Sequence, residues 1–129
     1  FHHFSEKNIP IRNKIDKINE LIANHEEKIA NPLLDYISSN KNIRLIGKKK
    51  IKNRNRAPTI AFIFNDRPSK IVAKELVKLG IATRNDNFYA WRCLNHLGID
   101  TDDGVVRLSM THYNNKQDTE NVLSALEKI

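Results

Sequence analysis

The stretch Gly104-Val105-Val106-Arg107-Leu108-Ser109-Met110-Thr111-His112-Tyr113-Asn114-Asn115 decides how this chain is read. Its first half is β-branched and apolar, so Val105 to Met110 predicts a strand. Asp102-Asp103-Gly104 ahead of it is a turn signal. Asn115, with Asp118 three positions later, resembles a capping box, in which each side chain satisfies a free backbone N–H at a helix start. The helix so opened carries Val122, Leu126 and Ile129 on one face. A single arginine, Arg107, lies mid-strand between apolar neighbours. An isolated buried cation is costly, so Arg107 is expected to meet an anion. Two partners suit it: a structural Asp or Glu, or a ligand carboxylate gripped by the planar guanidinium fork.

Working outward, Thr59 to Phe64 (TIAFIF) reads as a strand buried on both faces. Ile43-Arg44-Leu45-Ile46 reads as a short strand ended by Gly47. Between them runs KKKIKNRNR, Lys48 to Arg56, which has no apolar period and predicts a loop or hairpin arm. After TIAFIF, Asn65 to Ser69 is a turn into a helix. Val72, Leu76 and Leu79 form its inner face, and Gly80 ends it. Ile81 to Arg84 predicts a short strand. Tyr89 to Leu97 predicts a helix ended by Gly98.

The chain opens with an amphipathic helix from about Ile11 to Ile29. Ile11, Ile15, Ile18, Ile22 and Ile29 recur at helical spacing. Asn31-Pro32 is expected to break it, with Asn31 capping a second short helix from Pro32 to Ile37. A kinked continuous helix is the alternative. The expected fold class is α+β: a small, mostly antiparallel sheet packed with helices. Residues 11–40 form a helical lead-in, and residues 41–129 supply the sheet and its helices.

At 129 residues the chain fits one domain, 1–129. No apolar run spans a bilayer and no secretory pattern opens at Phe1-His2-His3-Phe4, so no membrane partner is expected. The first residue is not Met, which leads us to expect either a trimmed chain or a piece with a disordered start. Cys93 is the one cysteine, which excludes an internal disulfide and points to the cytoplasm. No metal site is expected, because zinc takes about four ligands and no such spacing occurs. The net charge of +7 permits a polyanion partner. A composition rich in Lys, Asn and Ile accounts for it more simply, as compositional drift rather than a binding surface. No Gly-rich phosphate loop and no Ser/His/Asp arrangement is present.

GVVRLSMTHYNN followed by a helix resembles the end of class V pyridoxal 5'-phosphate (PLP) enzymes, the aminotransferase and cysteine-desulfurase-like group of fold type I. The pattern there is an apolar strand, arginine, any residue, serine, a few residues, then Tyr-Asn and a helix cap. Arg107, Ser109, Tyr113 and Asn114 fill those places. RAPTIAFIF, Arg56 to Phe64, resembles an upstream strand of the group. IATRNDNFYA, Ile81 to Ala90, resembles its active-site loop. The likeness runs from about Ile11 to Ile129.

The resemblance implies the C-terminal small domain of a larger enzyme. Arg107 would bind the substrate carboxylate, with Arg84 a second arginine at the site or else a solvated loop cation. Asn87 and Tyr89 would belong to the active-site loop. Tyr89 stands where cysteine desulfurases carry their catalytic cysteine, and tyrosine cannot accept sulfur. Cys93, four residues later, is read first as a small buried hydrophobe. Asp86 replaces a glycine common in that loop, which leaves the loop's conformation open. The PLP lysine is absent, so no catalytic residue is assigned, and the cofactor would bind only in the intact enzyme. The implied partners are a missing large PLP-binding domain, an amino-acid substrate and a second copy in a homodimer. The fragment alone is expected to be inactive.

The alternative is a small basic nucleic-acid-binding domain. Six of the nine residues from Lys48 to Arg56 are basic, and Phe62, Phe64 and Tyr89 could stack on bases. His112 is read as a surface or hydrogen-bonded residue. Tyr113 is read as packing at the strand-to-helix corner.

Overall fold

A computed structural model describes residues 9–129. Phe1-His2-His3-Phe4, judged above for a leader, lies outside the described residues. The elements run α1 (Ile11–Ser39), β1 (Ile43–Ile46), β2 (Thr59–Phe64), α2 (Ser69–Lys78), β3 (Arg84–Asp86), α3 (Trp91–His96), β4 (Val105–Ser109) and α4 (Lys116–Leu126). The strands form one sheet in the order β1-β2-β4-β3, and every neighbouring pair is antiparallel. The fold is α+β, as the sequence led us to expect.

The alternation along each strand separates two layers. Ile43, Ile60, Phe62, Phe64, Val106 and Leu108 face one side. Ile29, Leu33, Leu34 and Ile37 of α1, Val72 and Leu76 of α2, and Val122, Ala125 and Leu126 of α4 close over them. On the opposite side, Leu94 and Ile99 pack on Val105, with Ile46, Ala61, Ile63 and Phe88 around them. The strand β2 therefore packs on both faces, but unequally. Ile60, Phe62 and Phe64 are buried, while Ala61 and Ile63 are only partly covered.

The expected break at Asn31-Pro32 does not occur. The helix α1 runs unbroken for 29 residues with Pro32 inside it. Proline removes one helical N–H and crowds the carbonyl of the turn before it. Burial of Ile29, Ala30, Leu33, Leu34 and Ile37 on the sheet holds the segment helical across that defect. Thr119 of α4, itself buried, donates its hydroxyl to the Ile29 carbonyl at 2.8 Å, one turn ahead of the proline. Asn31 does not cap a helix. Its side chain forms a two-way clamp with the backbone of Ile51, accepting at 2.8 Å and donating at 3.1 Å.

The basic segment is the long connection between antiparallel β1 and β2. Ile51 is buried and anchors it to α1. Arg56 ties its base, donating to the carbonyls of Lys48, Ala57 and Thr59. Burial holds the Arg56 pKa below the ordinary arginine value. The first half of α1 differs from expectation. Ile11, Ile15, Ile18 and Leu21 form an exposed apolar stripe, and the buried residues of the helix begin at Ile29.

Candidate functional site

The site grows from β4 and its turn. Gly104 has φ +69, in the left-handed region, and its Cα faces the backbone of Asp86 and Asn87. A side chain there would collide with that backbone, so glycine lets the β3 end lie directly on the turn. Asp103 caps α2 from this same turn, its carboxylate accepting from the N–H groups of Ser69 and Lys70. Ser69 returns a hydroxyl bond to the Gly104 carbonyl at 3.1 Å, and Asn85 donates to the Asp103 carbonyl at 3.0 Å. One turn thus fixes the start of β4, the start of α2 and the loop after β3.

Arg107 follows on β4, on the face opposite the main core. Its cross-strand neighbours are Ala61 on β2 and Arg84 on β3. The Thr83 hydroxyl donates to the Arg107 carbonyl at 2.8 Å and pins the backbone there. Arg107 is partly buried. The expected acidic partner is missing: among the described residues no carboxylate pairs with it. Its guanidinium instead lies over the Phe88 ring, 3.8 Å from the centroid. Arg84 is exposed and paired with Asp86 at 3.2 Å. The two arginines stand directly opposite on neighbouring strands, and Asp86 offsets the charge of Arg84, which leaves Arg107 as the cation without a carboxylate among the described residues.

The loop carrying Phe88 is unusual. Phe88 and Tyr89 have φ of 49 and 61. Left-handed backbone costs an L-residue roughly 1–2 kcal/mol. Asn87 holds the turn through its side chain, accepting from the Tyr89 N–H at 3.0 Å and donating to the Thr101 carbonyl at 3.3 Å. Its carbonyl accepts from the Ala90 N–H at 2.8 Å. Asp86, noted above for replacing a glycine, does not take the left-handed conformation. That conformation falls two residues later, and the Asp86 carboxylate accepts from the Asn87 N–H at 2.7 Å.

Several sequence-based positions shift. The third strand is Arg84–Asp86, not Ile81–Arg84, because its ladder with Val105 to Arg107 sets the register. The next helix begins at Trp91, after the left-handed pair. Tyr89 is fully exposed and Cys93 is exposed, not a small core residue. Tyr113 is 75% exposed and does not pack the strand-to-helix corner. Asn114 ties that corner instead. Its side chain accepts from the Thr111 N–H at 2.9 Å and donates to Asp118, and its carbonyl accepts from His25 Nε2 of α1 at 2.7 Å. The Asn115–Asp118 capping box forms as expected. Phe62 and Phe64, offered above as stacking platforms, are buried in the core.

The structure brings Arg107, Arg84 and Asn87 to one end of the sheet, with Tyr89 at the loop tip. Sequence reasoning passed over Phe88, although it stands between two residues singled out for that loop. No His/Cys/Asp/Glu cluster among the described residues could hold a metal. None of the described lysines is buried. A Schiff-base lysine needs a desolvated pocket, so the described lysines do not fit attachment of PLP. No helix is long and apolar enough to cross a membrane among the described residues.

The family model for aminotransferase class-V matches residues 13–122. A curated relative, the aminotransferase-like protein FGM3 of Gibberella zeae, is 30% identical over 111 residues, covering 85% of this chain and 28% of its own. A cysteine desulfurase structure from Thermococcus onnurineus shares the fold with a TM-score of 0.69 at 24% identity, covering 90% of this chain and 28% of that one. The Escherichia coli cysteine desulfurase CsdA gives a TM-score of 0.62 at 22% identity, over 80% of this chain and 25% of that one. The chain therefore spans little more than a quarter of the proteins it matches. With the family model covering most of its length, this chain belongs to the class-V aminotransferase family.

Proposed function

We propose that this chain is the C-terminal small domain of a PLP-dependent enzyme acting on an amino acid, and that it supplies the carboxylate-binding side of the active site. The observation that carries this reading is Arg107. It is a partly buried guanidinium with no carboxylate partner among the described residues, and the neighbouring Asp86 is engaged by Arg84. A fork with free donors suits a bidentate carboxylate. Gripping the carboxylate orients the bond to be broken at Cα, which is a positioning contribution. Asn87 and Tyr89 border the same end of the sheet. PLP, when bound, supplies the electron-sink chemistry, and the rest of the polypeptide would have to hold it. No catalytic step is assigned to this chain, and alone it is expected to turn over nothing. A homodimer and a cytoplasmic setting accompany the same reading.

The test uses the whole polypeptide that carries this chain. Its visible absorption is titrated with amino acids, for the native sequence and for Arg107→Ala. The expected result is a cofactor band that amino acids perturb. Loss of the arginine should weaken the half-saturation concentration roughly 10- to 100-fold, the range of a charge-assisted hydrogen-bond pair. A whole polypeptide with no cofactor band, or one indifferent to Arg107→Ala, would refute the proposal.

The nucleic-acid reading keeps one observation in its favour, the exposed Lys48, Lys49, Lys52 and Arg54. It has lost two of its three stacking aromatics to the core. Binding of a short RNA that weakens steeply with salt would restore it.

A further inference from the structure

We infer that Phe88 is a positioning residue for Arg107, holding the plane of its guanidinium so that the hydrogen-bonding edge stays free for a carboxylate. The inference deepens the function proposed above and rests on it for the identity of the ligand.

Three observations lead there. The Arg107 guanidinium carbon lies 3.8 Å from the centroid of the Phe88 ring. An arginine stacks on an aromatic face through its own flat face, while its N–H donors point outward in the guanidinium plane. An Asp or Glu in the same place would also order the cation, but it would fill those donors. The ring orders it and consumes none. The second observation is the backbone of Phe88, which sits in the left-handed region at φ 49 with no glycine to ease it. Asn87 holds that turn with contacts to the N–H of Tyr89 and the carbonyl of Thr101. Gly104 leaves room for it against the Asp86–Asn87 backbone. The third is the neighbour across the ladder. Arg84 stands opposite Arg107 and takes Asp86 as its own partner at 3.2 Å. With that carboxylate engaged by Arg84, no acidic side chain among the described residues orders the Arg107 guanidinium. The negative face of the Phe88 ring orders it instead.

The test separates the clamp from the ligand. The full-length protein is labelled with nitrogen-15 at arginine, and the Arg107 Nε–H resonance is assigned by its absence in Arg107→Lys. Its relaxation is then compared in the native sequence, Phe88→Tyr and Phe88→Leu. Leucine keeps the backbone cost and apolar bulk and removes the aromatic face. The resonance should be ordered in the native protein and in Phe88→Tyr, and mobile in Phe88→Leu. In parallel, an amino acid and its decarboxylated amine are titrated against each protein. Phe88→Leu should weaken the amino acid about tenfold and the amine less than about twofold, in line with a partly desolvated cation–π contact. An equally ordered Arg107 in Phe88→Leu overturns the inference. So does an equal loss for amine and amino acid, or a Phe88→Tyr variant as damaged as Phe88→Leu. If the resonance behaves as expected but Arg107→Ala binds the amino acid normally, the clamp stands and the carboxylate reading of the site falls.

Discussion

Replacing Gly104 with alanine should destabilise the chain far more than the same change at Gly98. The two glycines have nearly identical backbones, φ +69 and +68. Each substitution therefore pays the same left-handed cost of about 1–2 kcal/mol. Their surroundings differ. A Cβ at Gly98 meets nothing within 4 Å. A Cβ at Gly104 would overlap the carbonyl of Asp86 and lie 2.7 Å from the Asn87 nitrogen. Both obstacles are backbone, so relief requires moving the end of β3. Forcing extra volume into a packed site costs about 1–3 kcal/mol. The expected totals are about 1–2 kcal/mol for Gly98→Ala and about 2–5 kcal/mol for Gly104→Ala, a large share of the roughly 5–15 kcal/mol that stabilises a typical domain. Urea unfolding followed by circular dichroism reads the difference as a shift in midpoint at constant slope. A gap between the two variants below about 1 kcal/mol would show that the turn does not bear on β3, and the account of how the loop is seated would fail.

Other consequences are open to simpler tests. Thr119→Val keeps the shape but leaves the Ile29 carbonyl without its hydroxyl donor, and should cost about 1–3 kcal/mol; Thr119→Ser should recover most of this in a thermal melt. Asn31→Ala removes both clamps on Ile51, so trypsin should cut between Lys48 and Arg56 several times faster, while unchanged cleavage would deny the clamp a role. The Asp118 carboxyl is held below its usual pKa, first by the Asn115 N–H and then by the Asn114 side chain. A lowered native pKa contributes stability above the unfolded value of about 3.9, and that contribution fades as pH falls through the native value. Asp118→Asn should flatten the acid limb of the stability-against-pH curve, and an unchanged limb would remove Asp118 from the account.

What could be read before folding depended on distance along the chain. The Asn115–Asp118 box involves atoms three residues apart, so its residue types were enough to name it. The Val105–Ser109 strand and the ends of α2 and α3 near Gly80 and Gly98 follow from equally local chemistry. Pro32 shows where local reading stops. A proline in a helix is costly by itself, yet burial of five residues around it outweighs that cost. Tyr113 and Asn114 changed roles for a similar reason. Which of two neighbours faces the core depends on where α1 passes, and His25 reaches Asn114 across 89 residues of sequence.

The sequence by itself determined the class of the fold, the family resemblance and Arg107 as the residue to watch. Strand periodicity, helix spacing and an arginine among apolar neighbours are written in adjacent residues, and their physical meaning does not depend on the rest of the chain. Only the tertiary structure decided what Arg107 touches. Its expected acidic partner is replaced by the ring of Phe88, and Arg84 comes opposite it through ladder pairing across 23 residues. The position of that ring depends on two left-handed residues, on Asn87 and on the room left by Gly104. Contacts between segments distant in sequence are set by register and backbone approach, and these exist only once the sheet has formed.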